Sequence, residues 1–297
     1  MRVGLFLNEP QGQDPIAELR ESMARAADDG FASAWMSNIF GLDAITALAV
    51  AGSQVPGIEL GTAVVPTYPR HPAALAQQAL TANAALGGRL ALGIGLSHRI
   101  VIEEMFGYSY ERPARHMKEY LDILLPLTRG EKAQVNGETL RANIRLGAPG
   151  TGLPVLIAAL APRMLELAGS MTDGTVLWMT GPRTVEEHVV PAITRAAERA
   201  GRPAPRVVCA LPVCVTDDPA TAKARAAEVF SVYGRLPSYR AMLDREGAAG
   251  PGDVAIVGDE AEVRAQIEAL GRIGVTDFVA AEFSARERTR ELLKSLR

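Results

Sequence analysis

Residues 87–98 read GGRLALGIGLSH. The apolar run Leu90–Gly95 is short, glycine-framed and followed by the polar pair Ser97-His98, which is the length and punctuation of a strand. The segment before it has helical character and ends on Leu86-Gly87-Gly88, glycines suited to a left-handed C-cap that turns the chain straight into the strand. A helix feeding a strand through glycine is one half of a repeating βα unit, and the question is how often it recurs.

It recurs along the whole chain. Strands are expected at Val3–Leu7, Ser33–Ser37, Ile58–Val64, Leu90–Gly95, Pro154–Ala158, Thr175–Met179, Val207–Val215 and Asp277–Ala281. Helix starts lie between them: Asp14-Pro15 and Asp218-Pro219 read as an N-cap followed by proline in the first turn, and Thr184…Glu187 has capping-box spacing. Asp29-Gly30 and Ile273-Gly274 repeat the glycine stop. Eight strands alternating with helices in 297 residues predict an α/β fold, a (β/α)8 barrel, with an open doubly wound sheet as the alternative. Two stretches break the alternation, 130–150 after the fourth helix and 231–258 after the seventh strand. The first reads as a hairpin turning at Asn136-Gly137, the second as a short helix at Pro237–Arg245 with a Gly/Pro-rich stretch. Neither is long enough for its own core, so one domain spanning 1–297 is expected.

Composition narrows the partners. With 48% hydrophobic and 22% charged residues the chain can bury a full core. Acidic residues number 34 against 31 basic, a net charge of −3, which offers no electrostatic footprint for nucleic acid or an anionic membrane. Cys209 and Cys214, five apart on one strand, point to opposite faces and cannot pair, which excludes a disulfide scaffold and a cysteine metal site. No run reaches membrane-spanning length, and the N-terminal apolar run is too short for a secretion signal. A small-molecule partner in a reducing, cytoplasmic compartment is expected.

In such a barrel the active site lies at the C-terminal ends of the strands. The residues there are Ser37, Asn38 and Ile39; Val65, Pro66 and Thr67; Leu96, Ser97 and His98; Ala159 to Arg163; and Thr180-Gly181. They include no carboxylate pair, no metal-spaced cluster and no nucleophile elbow, so hydrolytic chemistry is not signalled. Small and apolar residues beside a helix start at Pro162-Arg163 suit a planar, phosphate-bearing cofactor better than a metal. Arg163 reads either as a solvated side chain or as partner of an anion held at that helix N-terminus. His98 reads either as a loop histidine or as a proton donor. Trp178 and Met179 fit a pocket wall or core equally, while His71, His116 and His188 read as structural.

The segments GFASAWMS (30–37), IELGTAVVPTYPRHPAALAQQAL (58–80), GGRLALGIGLSH (87–98), RPARHMKEYL (112–121), PVLIAALAPRMLELAG (154–169) and DGTVLWMTGP (173–182) together resemble the luciferase-like monooxygenase superfamily, in particular its branch dependent on coenzyme F420. The resemblance implies a barrel whose cofactor ring lies across the strand ends, behind a bulge in the third strand that often holds a non-prolyl cis peptide. That bond falls at Ala63–Val64. It also implies cofactor contacts at Asn38, Ala63, Val64, Thr67, Gly95, Leu96, Ser97, His98 and Ala158, and a phosphate held by the backbone of Ala159, Leu160, Ala161 and Arg163. A homodimer is common in the family. Departures are informative: many relatives carry Asp-His where this chain has Asn38-Ile39, and isoleucine shuttles no proton, so that role is either empty or passes to His98. Some carry a carboxylate where His98 stands, so a sugar-phosphate substrate does not carry over. Leu160-Ala161 replaces a pair that is commonly glycine.

The expectation is an F420-dependent oxidoreductase that moves a hydride between the deazaflavin and a small organic substrate, with His98 catalytic, Ile39, Trp178 and Met179 lining the substrate pocket, and no metal. The alternatives are an FMN-dependent monooxygenase served by a separate reductase, and a non-catalytic flavin or deazaflavin carrier.

Overall fold

In the computed structural model, which describes residues 1–297, the apolar runs form eight parallel strands closed into a barrel. They are β1 (Arg2–Phe6), β2 (Ser33–Met36), β3 (Glu59–Thr62), β4 (Leu90–Gly95), β5 (Val155–Ile157), β6 (Gly174–Trp178), β7 (Arg206–Val215) and β8 (Asp277–Glu282). Each pairs with its neighbour in sequence, and β8 pairs with both β7 and β1. That last pairing closes the sheet and excludes the open doubly wound alternative.

Helices form the outer layer and share with the strands a continuous apolar core that runs from Val3 to Leu293. Asp14 and Asp218 cap their helices as expected, accepting the amides of Ala17 at 3.0 Å and Thr221 at 3.1 Å. Gly30, Gly87, Gly88 and Gly274 all take positive φ, so the glycine stops are real left-handed caps.

Inside the barrel the side chains stack from a charged base to an aromatic mouth. At the base the Arg206 guanidinium binds Glu59 at 2.9 Å and Asp277 at 2.8 Å, and Arg2 binds the same two carboxylates. Above it lies Trp35, fully buried, with its indole nitrogen donating to Ser33 Oγ at 2.9 Å. Gly61 is required by that ring, because a Cβ there would stand 2.2 Å from it. Ala91, Leu156, Val176, Val208, Ala210 and Val279 complete the interior, with Phe6, Ala63, Val64 and Trp178 against its upper side.

β3 is where regular pairing fails. The expected run Ile58–Val64 ends as a strand at Thr62, the Ala63–Val64 peptide is cis, and pairing with β4 resumes at Val65–Pro66. Across the gap the Thr62 hydroxyl donates to Gly93 O at 2.7 Å and accepts from Gly93 N at 2.9 Å. One side chain thereby satisfies both backbone groups that the bulge would leave unpaired.

Three local expectations are corrected. The hairpin exists, but Asn136 pairs with Arg141, so the turn is the four residues 137–140 and not a two-residue Asn-Gly turn. Its exposed amides are satisfied from outside: the Glu119 carboxylate accepts Glu138 N, Thr139 N and Leu140 N at 2.8–3.0 Å, a tertiary contact that no turn rule contains. The Thr184…Glu187 box does not form; the helical turn begins earlier, at Pro182, and Glu187 pairs with Arg183. A ninth parallel strand, Ile256–Gly258, joins the upper end of β7 where β6 has stopped pairing, and three residues are too few to stand out in sequence. The expected helix in that stretch is present at Pro237–Glu246.

The bulge geometry makes two substitutions costly. Thr62→Val should lower stability by about 2–4 kcal/mol by stranding the Gly93 amide and carbonyl, whereas Thr62→Ser should retain most of it. Gly93→Ala, whose Cβ would lie 2.0 Å from Thr62 O, should be comparably damaging. Urea unfolding midpoints of the three variants measure this.

Candidate functional site

The strand C-termini gather the residues singled out from the sequence into one mouth. Its floor is a shelf of small groups: a Cβ at Gly95 would meet Val64 Cγ2 at 2.6 Å and Ala158 Cβ at 3.3 Å, so only glycine keeps the three flush. Thr67 is buried beside it, its amide on Gly95 O at 2.9 Å and its hydroxyl 3.1 Å from His116 Nε2.

On one side of the shelf the chain leaves β4 through Leu96, Ser97 and His98, all half-buried. Ser97 takes φ +59°, which turns the backbone sharply, and the Tyr110 hydroxyl fixes its carbonyl at 3.2 Å. The His98 ring makes no hydrogen bond in the protein and lies 5.7 Å from Tyr239. Burial holds it below its ordinary value, so the ring is neutral at neutral pH and offers both a donor and an acceptor nitrogen.

On the other side the helix Pro162–Met171 starts without a side-chain cap. The amides of Leu160, Ala161 and Arg163 have no partner, and the Arg163 side chain is exposed and unpaired. Three free N–H groups at a helix N-terminus with an exposed guanidinium beside them are the groups an anion-binding surface needs. The Ala159 amide is not part of it, because it is donated to Thr175 Oγ1 at 3.3 Å. His188 steadies the loop from below, bonding Leu160 O at 2.8 Å.

Elsewhere the residues behave differently from one another. Asn38 turns its carbonyl to Ala44 N at 2.9 Å, which leaves its –NH2 free as a donor. Ile39 is 53% exposed on the rim beside Phe40, so it does not enclose a pocket. Met179, at φ +52°, is fully buried against Leu243 and Val254 and is core, which removes it from the pocket lining. Trp178 is half-buried at the mouth, and its indole nitrogen is buried with no hydrogen-bond partner.

The structure adds residues that sequence reasoning missed. Phe6 lies 5.4 Å from Trp178, and the 231–258 stretch with its approach supplies Phe230, Tyr233 and Tyr239, which interlock with Trp178 and His98 at 5.1–5.8 Å between ring centroids. A signal was available: aromatic residues are only 5% of this chain, yet three fall within ten positions there. Tyr68 was also missed. It stacks on His116 at 4.0 Å with the planes 4° apart and on Tyr110 at 5.3 Å, making a rigid wall beside Thr67.

A flat shelf, an open helix N-terminus and an aromatic roof together fit a planar ring that carries a phosphate. Residues 1–277 match the sequence pattern of the family described as luciferase-like monooxygenase. The chain belongs to that family. Within it, the chain is 28% identical to a 5,10-methylenetetrahydromethanopterin reductase of Methanolobus tindarius, over 90% of each. It is 29% identical, over 98% of each, to a protein of Mycobacterium tuberculosis whose name assigns it to the coenzyme F420-dependent oxidoreductases. The coenzyme F420-dependent tetrahydromethanopterin reductase of Methanopyrus kandleri superposes with a TM-score of 0.83 at 21% identity, covering 99% of this chain and 97% of that one.

The buried wall beside the site makes stability depend on pH. Burial, opposed in part by Glu119, brings His116 from its ordinary 6.5 down to about 4. Above pH 6.5 the ring is neutral whether the chain is folded or not. Between pH 6.5 and 4 the unfolded chain takes up the proton first, so stability should fall through that window by about 2–3 kcal/mol. His116→Phe, which keeps the stack, should flatten the slope in unfolding titrations at pH 7.5, 5.5 and 4.5.

Proposed function

We propose that this protein is an F420-dependent oxidoreductase that transfers a hydride between the deazaflavin and a small organic substrate. The observation that carries the choice of cofactor is the end-to-end match to a relative named for F420. The geometry supports a planar, phosphate-bearing cofactor of either kind, since the shelf and the free helix N-terminus flank one mouth.

In this reading Ala63, Val64, Thr67, Gly95, Leu96, Ser97 and Ala158 receive the ring. The amides of Leu160, Ala161 and Arg163, with the Arg163 guanidinium, hold the phosphate, and Ala159 contributes by fixing the loop through Thr175. The free –NH2 of Asn38 donates to an acceptor on the ring edge, where an aspartate would only accept. When bound, F420 supplies or receives a hydride at a ring carbon, chemistry that the protein has no side chain to perform.

The protein's part is orientation, exclusion of water and one proton. Phe6, Trp178, Tyr233 and Tyr239 exclude water above the shelf. His98, neutral and without an internal partner, takes the proton from the substrate heteroatom as hydride leaves, and as the imidazolium so formed returns it in the reverse direction. Isoleucine at position 39 leaves no second proton carrier after β2. The unpaired thiols of Cys209 and Cys214 agree with a reducing compartment, and we place the protein in the cytoplasm as a homodimer, the arrangement its family resemblance favours.

Two measurements test this. Fluorescence titration of the purified protein should give tight binding of F420 and at least about 100-fold weaker binding of FMN, a gap of about 2.7 kcal/mol; a preference for FMN would replace the reading with a monooxygenase. His98→Ala should lower turnover by about 100-fold or more, the usual contribution of a positioned acid or base, with F420 affinity nearly unchanged. Undiminished turnover would move the proton to another group.

A further inference from the structure

The roof over the mouth is bonded to the barrel at one end, at the turn that follows β6. The helix Pro237–Glu246 presents Tyr239, Met242, Leu243 and Glu246 on one face, the spacing i, i+3, i+4, i+7. Tyr239 leads that face to His98 and Tyr233, while Met242 and Leu243 are buried in the middle. Glu246 ends it on the opposite side of the mouth, at the helical turn that follows β6. There its carboxylate accepts Arg183 N at 3.1 Å, Thr184 N at 2.7 Å and Thr184 Oγ1 at 2.7 Å. The same Thr184 hydroxyl lies 3.3 Å from Met242 O, so one residue of the barrel grips two of the helix.

This arrangement explains why Thr184 does not form its own capping box. The free amides of Arg183 and Thr184 are already satisfied by a carboxylate from another element, in the position where a helix N-terminus favours negative charge. The fit is close: a Cβ on Gly181 would stand 2.3 Å from Glu246 Cδ. Gly181 has φ −71°, an ordinary value for any residue, so what selects glycine there is the space taken by the carboxylate. At the far end Tyr239 and Tyr233 meet His98 and Trp178 through ring contacts, with no carboxylate or guanidinium among them. The weak end of the helix is therefore the one over the mouth, and the strong end is Glu246.

We propose that Glu246 is a positioning residue: by capping the turn after β6 it holds the helix Pro237–Glu246 in the orientation that sets Tyr239 and Tyr233 over Trp178 and His98. It touches neither cofactor nor substrate and acts through the helix it terminates. The proposal rests on the reading that the mouth is where substrate meets cofactor, but its geometry can be tested without either.

The chain has two tryptophans, and they report separately. Trp35 is fully buried inside the barrel, so a change in acrylamide quenching comes from Trp178. In Glu246→Ala the quenching constant should rise at least about two-fold as the roof loosens. Gly181→Ala, which displaces the carboxylate without backbone strain, should do the same. Glu246→Gln, which keeps an acceptor oxygen but loses the charge, should fall between these and the wild type. A purely structural cap would lower the melting temperature and leave Trp178 as protected as before. Unchanged quenching in both alanine variants overturns the proposal, as does a rise seen only where the near-UV spectrum shows that the whole barrel has loosened. F420 titration of the same proteins keeps the two readings apart: wild-type protein that fails to bind F420 removes the proposed function, whatever the quenching shows.

Discussion

A single hydroxyl allows the barrel to be irregular where the site needs it. By taking both the amide and the carbonyl of Gly93, Thr62 replaces two rungs of the β3–β4 ladder and lets the next two residues leave the sheet without an unsatisfied backbone group. Everything at the mouth follows from that exit. Val64 moves into the space above the interior, Gly95 and Ala158 must remain small beside it, and Val65–Pro66 rejoin β4 in time to bury Thr67 against His116.

The interior is graded from one end to the other. The base is ionic and closed, with two arginines and two carboxylates in mutual contact beneath Trp35. The mouth is aromatic and lightly bonded, and its polar atoms at His98, Asn38 and Trp178 are left with unused capacity. Buried polar groups are normally paired; the buried side-chain atoms without a partner are Trp178 Nε1 at the mouth and the hydroxyls of Tyr68 and Tyr120 in the aromatic stack around His116. The outer elements respect the same division. Glu119 spends its carboxylate on the hairpin turn, away from the mouth, and burial notwithstanding, the hydroxyl and amide of Thr139 with the amides of Glu138 and Leu140 hold it at about 2.

What the sequence disclosed and what it concealed divide along a physical line. Strand and helix positions are set by local periodicity and by glycine and proline, and these were legible: β4 came out residue for residue, and the glycine stops at Gly30, Gly87 and Gly274 adopt the backbone that only glycine takes easily. The cis peptide came from family resemblance, as does the proposed phosphate loop, and nothing in the local composition of Ala63–Val64 would have revealed the bond. Most of the failures involve partners distant in sequence. Thr184 lost its local box to a residue 62 positions away, the hairpin turn took its geometry from Glu119, and Met179 proved to be core because Leu243 and Val254 fold over it. The aromatic cluster that holds Tyr233 and Tyr239 is visible in sequence, but an insertion gives no sign of which strand end it covers.

The helix Pro162–Met171 begins with three amides that nothing in the protein satisfies. An anion that bonds them finishes the helix, and whatever finishes a folded element binds the native chain and not the unfolded one. Occupancy and stability are then linked by mass action, rising together with the logarithm of free ligand. With the coenzyme of the proposed function as that ligand, the unliganded chain would open and be degraded more readily where supply is low, and its abundance would follow the coenzyme.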